Sequence, residues 1–235
     1  MNEKEKRFLE VLTRVKVLLE QNNLSYFLDT GTLLGAVRDK RFIPWDGDID
    51  IGIYERQQPP VARLKEIAGC FYRNGFNVRL TPGVISVFPV EDYIPVDIKF
   101  YEIKDGTYQT HLEESDSGNN RLYGYLYFRL INRFLLDKKH GIKGLFDAVI
   151  SFCLRSFGRI VPERFLNDME KRLHYEYRTV AIPCHLIDGL TQIPFYGVEF
   201  SVPAFPERYL AFRYGENWKT PNKDYQFITD DCSLL

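Results

Sequence analysis

Three aspartates, Asp46, Asp48 and Asp50, stand two residues apart in WDGDIDIGIY, residues 45–54, with Ile49, Ile51 and Ile53 in alternate positions. A strand turns successive side chains to opposite faces, so the isoleucines read as a core face and the carboxylates as the other face. Side chains two apart on one face lie roughly 6.5–7 Å from each other, close enough for like charges to raise one another's pKa. A further acid, Asp97, sits between Val96 and Ile98 in PVDIKF, a second segment that reads as a strand. An EF-hand-type calcium loop needs glycine at its sixth position and glutamate at its twelfth. Counting from Asp46 those places hold Ile51 and Gln57, so that reading fails. A solvated strand edge would explain a lone Asp-x-Asp. It does not explain isoleucines that embed the strand in a core, or a second strand acid, since buried unpaired carboxylates are costly. A divalent-metal site for phosphoryl transfer, built from Asp48, Asp50 and Asp97, explains these features together. Mg²⁺ or Mn²⁺ prefers oxygen ligands and offsets the crowding, and ions roughly 3.5–4 Å apart can steady both attacking and leaving oxygens.

Upstream, Gly31 and Thr32 open a helical segment directly after a short apolar one. Free backbone N–H groups and the helix dipole at such a turn can receive a phosphate, with glycine permitting close approach and the Thr32 hydroxyl adding a donor. Arg38, one helix length further on, is placed either to bind phosphate oxygens or to lie on the surface. Asp46 is offset from the metal pair and suits orienting Arg38 or a bound water. Trp45 either stacks on a donor's base or, in the more ordinary role, packs. Asp29 suits a hydrogen bond to the turn. His111, His140, His174 and His185 are scattered without ligand spacing and carry no assignment.

Taken whole, DTGTLLGAVRDKRFIPWDGDID, residues 29–50, resembles the signature of the LicD family of phosphotransferases, which includes fukutin and fukutin-related protein. That family lies within the nucleotidyltransferase-fold superfamily. The resemblance continues at Asp97 and returns weakly in FYGVEFSVP and ERYLAFRYGENW. Fifteen residues, Leu33 to Gly47, separate Thr32 from Asp48, longer than in simple nucleotidyltransferases but as in LicD-like proteins. Gly47 stands where relatives often carry an acid, at a position that faces away from the metal pair. The resemblance implies metal-dependent transfer of a phosphoalcohol, of the phosphocholine or polyol-phosphate type, from a CDP-linked donor to a hydroxyl of a glycan or glycolipid, with release of CMP. It implies Asp48 and Asp50 as the metal-binding pair, Asp97 as a third ligand that accepts the hydroxyl's proton, and Gly31 and Thr32 as the phosphate-contacting turn. Two other readings use the same acids: a nucleotidyltransferase releasing pyrophosphate from an NTP, and a non-catalytic nucleotide-binding subunit.

The elements that must position these residues follow from periodicity. Residues 3–21 predict an amphipathic helix, with Phe8, Val11, Leu12, Val15, Leu18 and Leu19 at helical spacing. SYFLD (25–29) predicts a short strand, GTLLGAVR (31–38) a short helix, DIDIGIY (48–54) a strand and VARLKEIAGCFYRN (61–74) a helix ended by Gly75. FNVRL, VISVFPV and PVDIKFYEI predict three more strands, and IPFYGVEFSVP (193–203) a hairpin before a short helix in PERYLAFRYG. The fold expected is α+β: a nucleotidyltransferase-like mixed sheet with flanking helices over 1–115, then a linker in ESDSGNN. A mainly helical C-terminal region over 120–235 is expected to pack on that core.

A chain of 235 residues, 45% hydrophobic and 15% aromatic, is long enough for one large domain or two small ones sharing a core. The net charge of −1 points to no nucleic-acid partner. Residues 121–160 differ: eight bases, two acids and eight aromatics suit either a solvated basic face or a peripheral contact with an anionic acceptor or membrane surface. Cys70, Cys153, Cys184 and Cys232 lie far apart without a CxxC pair, the usage of a reducing compartment. With no apolar leader and no uncharged run of spanning length, the expected location is cytoplasmic, peripheral on the inner membrane face.

Overall fold

A computed structural model describes residues 1–54, 59–81, 83–114 and 176–235. Helix α1 (Glu3–Gln21) opens with a capping box: the Asn2 side chain accepts from the Glu5 N–H, and the Glu5 carboxylate accepts from the Asn2 N–H at 2.7 Å. Strand β1 (Tyr26–Leu28) leads into α2 (Thr30–Leu34), which runs on as a π-helical turn over Gly35–Asp39. Strand β2 (Ile49–Tyr54), α3 (Val61–Arg73) and the strands β3 (Phe76–Thr81), β4 (Val84–Pro89) and β5 (Val96–Lys104) follow. The predicted elements of this half are present within a few residues of their expected bounds.

β6 (Thr107–Glu114) is a hairpin partner of β5, with Lys104 opposite Thr107 and only Asp105 and Gly106 between them. Both loop residues have positive φ, 50° and 76°, which is what Asp-Gly supplies in a tight hairpin. β7 (Glu176–Pro183) pairs antiparallel along the whole of β6. The seven strands form one mixed sheet in the order β1-β2-β5-β4-β3, with β6 and β7 extending from β5. β2 and β5 are its parallel pair, and Asp50 lies opposite Asp97.

The chain continues through α4 (Cys184–Ile187), a separate hairpin of β8 (Leu190–Phe195) and β9 (Val198–Pro203), α5 (Pro206–Tyr214) and α6 (Phe227–Asp230). Most of the stretch expected to be helical lies outside the described residues; over 176–235 strands mix with short helices, including the expected hairpin and the helix after it. For β7 the reason is tertiary: β6 offers an open edge, and pairing to it makes a strand of EYRTVAIP. The linker beyond Glu114, the basic segment 121–160, Cys153, His140 and His174 lie outside the described residues. One buried cluster joins Phe8, Leu12, Val15 and Leu19 of α1 to Ile49, Ile51 and Ile53 of β2, and to Tyr209 and Leu210 of α5. No helix among the described residues is long and apolar enough to cross a membrane.

Candidate active site

Alternation in β2 works as the sequence suggests. Ile49, Ile51 and Ile53 are fully buried, and Asp48 and Asp50 take the other face. The parallel register with β5 brings Asp97 beside Asp50, so that one carboxylate oxygen from each of Asp48, Asp50 and Asp97 lies within 4.8 Å of the others. These acids line a cavity of about 760 Å³, together with Thr30, Gly31, Asp46, Arg79, Ser86, Lys99 and Arg178. Acids drawn from two strands thus share one cavity.

The electrostatics show what that proximity costs. Burial, then the charge on Asp50 and the contacts with Asp46 and Asp97, push the Asp48 carboxyl up to about 8. Asp46 and Asp97 are also raised, chiefly by burial and then by Asp50, although a hydrogen bond from Ser86 at 2.6 Å pulls Asp97 partly back. The all-oxygen donor set and the mutual repulsion both fit a hard divalent cation such as Mg²⁺ or Mn²⁺, whose charge removes the penalty.

The turn before the acids is shaped by them. A Cβ on Gly31 would stand 2.2 Å from Asp46 Oδ2, so any larger residue there would push the Asp46 carboxylate aside. Thr32, read from the sequence as a phosphate donor, is buried, and its Oγ1 accepts the Asp50 N–H at 2.9 Å; the turn residues lining the cavity are Thr30 and Gly31. Thr30 has φ 36°, a left-handed conformation costing about 1–3 kcal/mol for a β-branched residue. Its backbone N–H donates to Asp29 Oδ1 at 2.7 Å, and its hydroxyl accepts from Lys99 Nζ at 3.1 Å.

The remaining candidates separate. Of the two roles the sequence offers Asp46, orienting Arg38 or a bound water, the first is not seen: Arg38 pairs with Asp39 at 2.8 Å, and Asp46 hydrogen-bonds Asp48. Sequence neighbours win because the π-helical turn puts Asp39 beside the guanidinium. Arg38 and Trp45 line a second cavity of about 360 Å³, adjoining the first at Gly31, Asp46, Tyr214 and Tyr225. Trp45 is 45% exposed rather than packed, with Lys223 Nζ 5.1 Å from its ring centroid. His111 hydrogen-bonds Thr179, away from the acids.

Sequence reasoning passed over a buried ionic network behind the acids. Lys99 Nζ lies 2.8 Å from Asp50 Oδ1 and 3.7 Å from Asp29 Oδ2. Asp29 also accepts hydrogen bonds from the hydroxyls of Tyr101, at 2.8 Å, and Tyr209, and pairs with Arg213 at 3.3 Å. Burial opposes ionisation of Asp29, but Lys99, Arg213 and the two hydroxyls outweigh it and hold the carboxyl below its usual range. The signal was present: Asp97, Lys99 and Tyr101 alternate along β5 as the aspartates do along β2.

Residues 23–118, which carry the three acids, match the family described as LicD/FKTN/FKRP, nucleotidyltransferase domain. The resemblance seen in residues 29–50 therefore extends over the first-half sheet. The chain is 43% identical over 61 residues to an uncharacterized protein of Rickettsia prowazekii, a stretch covering 26% of this chain and 22% of that one. It is 51% identical over 43 residues to the lipopolysaccharide cholinephosphotransferase LicD of Haemophilus influenzae, 18% of this chain and 16% of the relative. It is also 51% identical over 37 residues to the ribitol 5-phosphate transferase FKRP of Homo sapiens, 16% of this chain and 8% of the relative. The aligned stretches thus span less than a quarter of each curated relative.

Proposed function

We propose that the protein is a metal-dependent phosphotransferase on a nucleotidyltransferase-like core. It moves a phosphoalcohol, of the phosphocholine or polyol-phosphate kind, from a CDP-linked donor to a hydroxyl of a cell-surface glycan or glycolipid and releases CMP. The observation carrying this reading is the convergence of Asp48, Asp50 and Asp97 within 4.8 Å in one cavity. Similarity to proteins named as cholinephosphotransferase and ribitol 5-phosphate transferase supports the substrate class.

Asp48, Asp50 and Asp97 would hold Mg²⁺ or Mn²⁺, which when bound supplies neutralisation of charge on the donor diphosphate. In the transfer, the acceptor oxygen bonds to the phosphorus bearing the alcohol, the bond from that phosphorus to the CMP oxygen breaks, and the hydroxyl proton must be taken up. Asp97 suits that role by position, since it lines the cavity and the Ser86 hydrogen bond occupies only Oδ1. Arg79 and Arg178 bring positive charge to the cavity wall, and Gly31 keeps the backbone of the turn open to it. Trp45 and Arg38, which line the adjoining cavity, would contact a base or alcohol that extends from the acids on that side. Positioning and electrostatics carry most of the acceleration in such transfers. A lipid-linked or anionic acceptor, met through residues 121–160 at the cytoplasmic membrane surface, completes the proposal.

The test is a panel of CDP-choline, CDP-ribitol, CDP-glycerol and CDP-ethanolamine with Mg²⁺, scored by CMP release. Turnover of one donor is expected, with Asp48→Ala and Asp50→Ala each losing at least about a hundredfold while circular dichroism is unchanged. Pyrophosphate release from an NTP instead of CMP release would make the chain a nucleotidyltransferase. Metal-dependent donor binding without turnover would make it a binding subunit.

A further inference from the structure

Lys99 is only 6% exposed, yet it is not spent on holding the fold alone. Its closest carboxylate partner is Asp50 Oδ1 at 2.8 Å, whereas Asp29, at 3.7 Å, is already engaged by Tyr101, Tyr209 and Arg213. One of the three carboxylates that would hold the metal is therefore paired with a fixed ammonium beforehand. Asp50 Oδ2 is left on the side of the Gly31 turn, 3.8 Å from where a Cβ of that glycine would stand. An ammonium fixed against a ligand repels an arriving dication across a poorly solvated interior, where charges act strongly. Mg²⁺ sites with few protein carboxylates draw their other ligands from substrate phosphates.

We propose that Lys99 is a positioning residue, a built-in counter-cation that keeps Asp50 aimed at the cavity and holds the free site's affinity for divalent cations low, so that the ion and the diphosphate donor load together. This rests on Asp48, Asp50 and Asp97 being the metal ligands. The ion is then a co-substrate of the donor rather than a resident of the protein.

The test measures Mn²⁺ binding to the full chain by water-proton relaxation, with and without CDP and corrected for Mn²⁺ held by free CDP. Wild-type protein is expected to bind Mn²⁺ weakly alone and at least about tenfold more tightly with CDP. Lys99→Met is expected to bind Mn²⁺ without CDP at least about tenfold more tightly than wild type, and Lys99→Arg, which keeps the charge, to stay near wild type. A packing defect loosens a site, so tightening is a readout that a merely structural lysine would not give. Equal or weaker binding in a folded Lys99→Met, or tight wild-type binding indifferent to CDP, overturns the inference while leaving the metal site in place. If Lys99→Met does not fold, Lys99→Gln, which keeps the polar reach without the charge, takes its place: tighter binding of Mn²⁺ alone supports the inference and unchanged or weaker binding overturns it. Mn²⁺ binding that ignores Asp48→Ala, with and without CDP, removes the ligand assignment itself and the proposed function with it.

Discussion

Asp48 sits at about 8 because burial, Asp50, Asp46 and Asp97 all disfavour its charge, and the sign of this shift has consequences that need no substrate. The folded carboxyl keeps its proton to a higher pH than the unfolded one, at about 3.8. Between those values the native state holds more protons, so metal-free stability falls as pH rises from about 4 to about 8 and levels off beyond. Asp46 and Asp97 are shifted the same way and add to the slope. Asp48→Asn should flatten part of that slope and raise the melting temperature in chelator at pH 8, while leaving it near wild type at pH 4. Equal melting of the two proteins at pH 8 would refute the crowding. Divalent ions must displace these protons, so metal uptake at neutral pH should release protons. Titration calorimetry in buffers of different ionisation enthalpy reads this directly, and heats independent of buffer would count against the site.

At the scale of elements, β2 and β5 owe their charged faces to neighbours that close the rest of those faces. Gly52, in register with Phe27 of β1, lies under that ring: a Cβ would come within 2.2 Å of Phe27 Cζ. The ring in turn meets Tyr101 and Tyr209 at centroid distances of 5.9 and 6.2 Å. The polar face of β2 is thus open at Asp48 and Asp50 and sealed by aromatics from Gly52 on. Gly52→Ala should overpack this seal and cost about 1–3 kcal/mol, read as a lower urea midpoint with unchanged m-value. A midpoint equal to wild type would mean that the strands shift freely, which the shared ladder does not allow.

Across the whole molecule, the first and last parts of the chain meet at one buried charge network. Arg213 of α5 is fully buried between Asp29 and Asp231, with Nη2 2.5 Å from Asp231 Oδ2. Asp231 also accepts from the Ser233 hydroxyl, and Leu234 bridges to Val180 of β7. The C-terminal segment is thereby fastened to the turn that carries Thr30 and Gly31. Arg213→Met removes the cation between two buried carboxylates and should destabilise by about 3–5 kcal/mol in chemical denaturation. A loss below about 1 kcal/mol would place this contact among the weak surface pairs.

The metal-type acids were legible from the sequence because their spacing matches the two-residue period of a strand, and Ile49, Ile51 and Ile53 show which face is buried. The helices α1 and α3 were legible for the corresponding reason at helical spacing. β6 and β7 were not: β6 alternates, but with few apolar residues, so the Asp105–Gly106 turn was its clearest local mark, and the apolar run in β7 is short. Thr32 and Arg38 could be placed near the turn but not aimed, because the π-helical turn and the Asp50 N–H set their partners. Register is a relation between strands, so no single segment encodes that Asp50 faces Asp97. The roles of Lys99, Tyr209 and Arg213 are tertiary in the same sense: a buried charge is defined by what surrounds it, and Arg213 lies 184 residues from the Asp29 it neutralises.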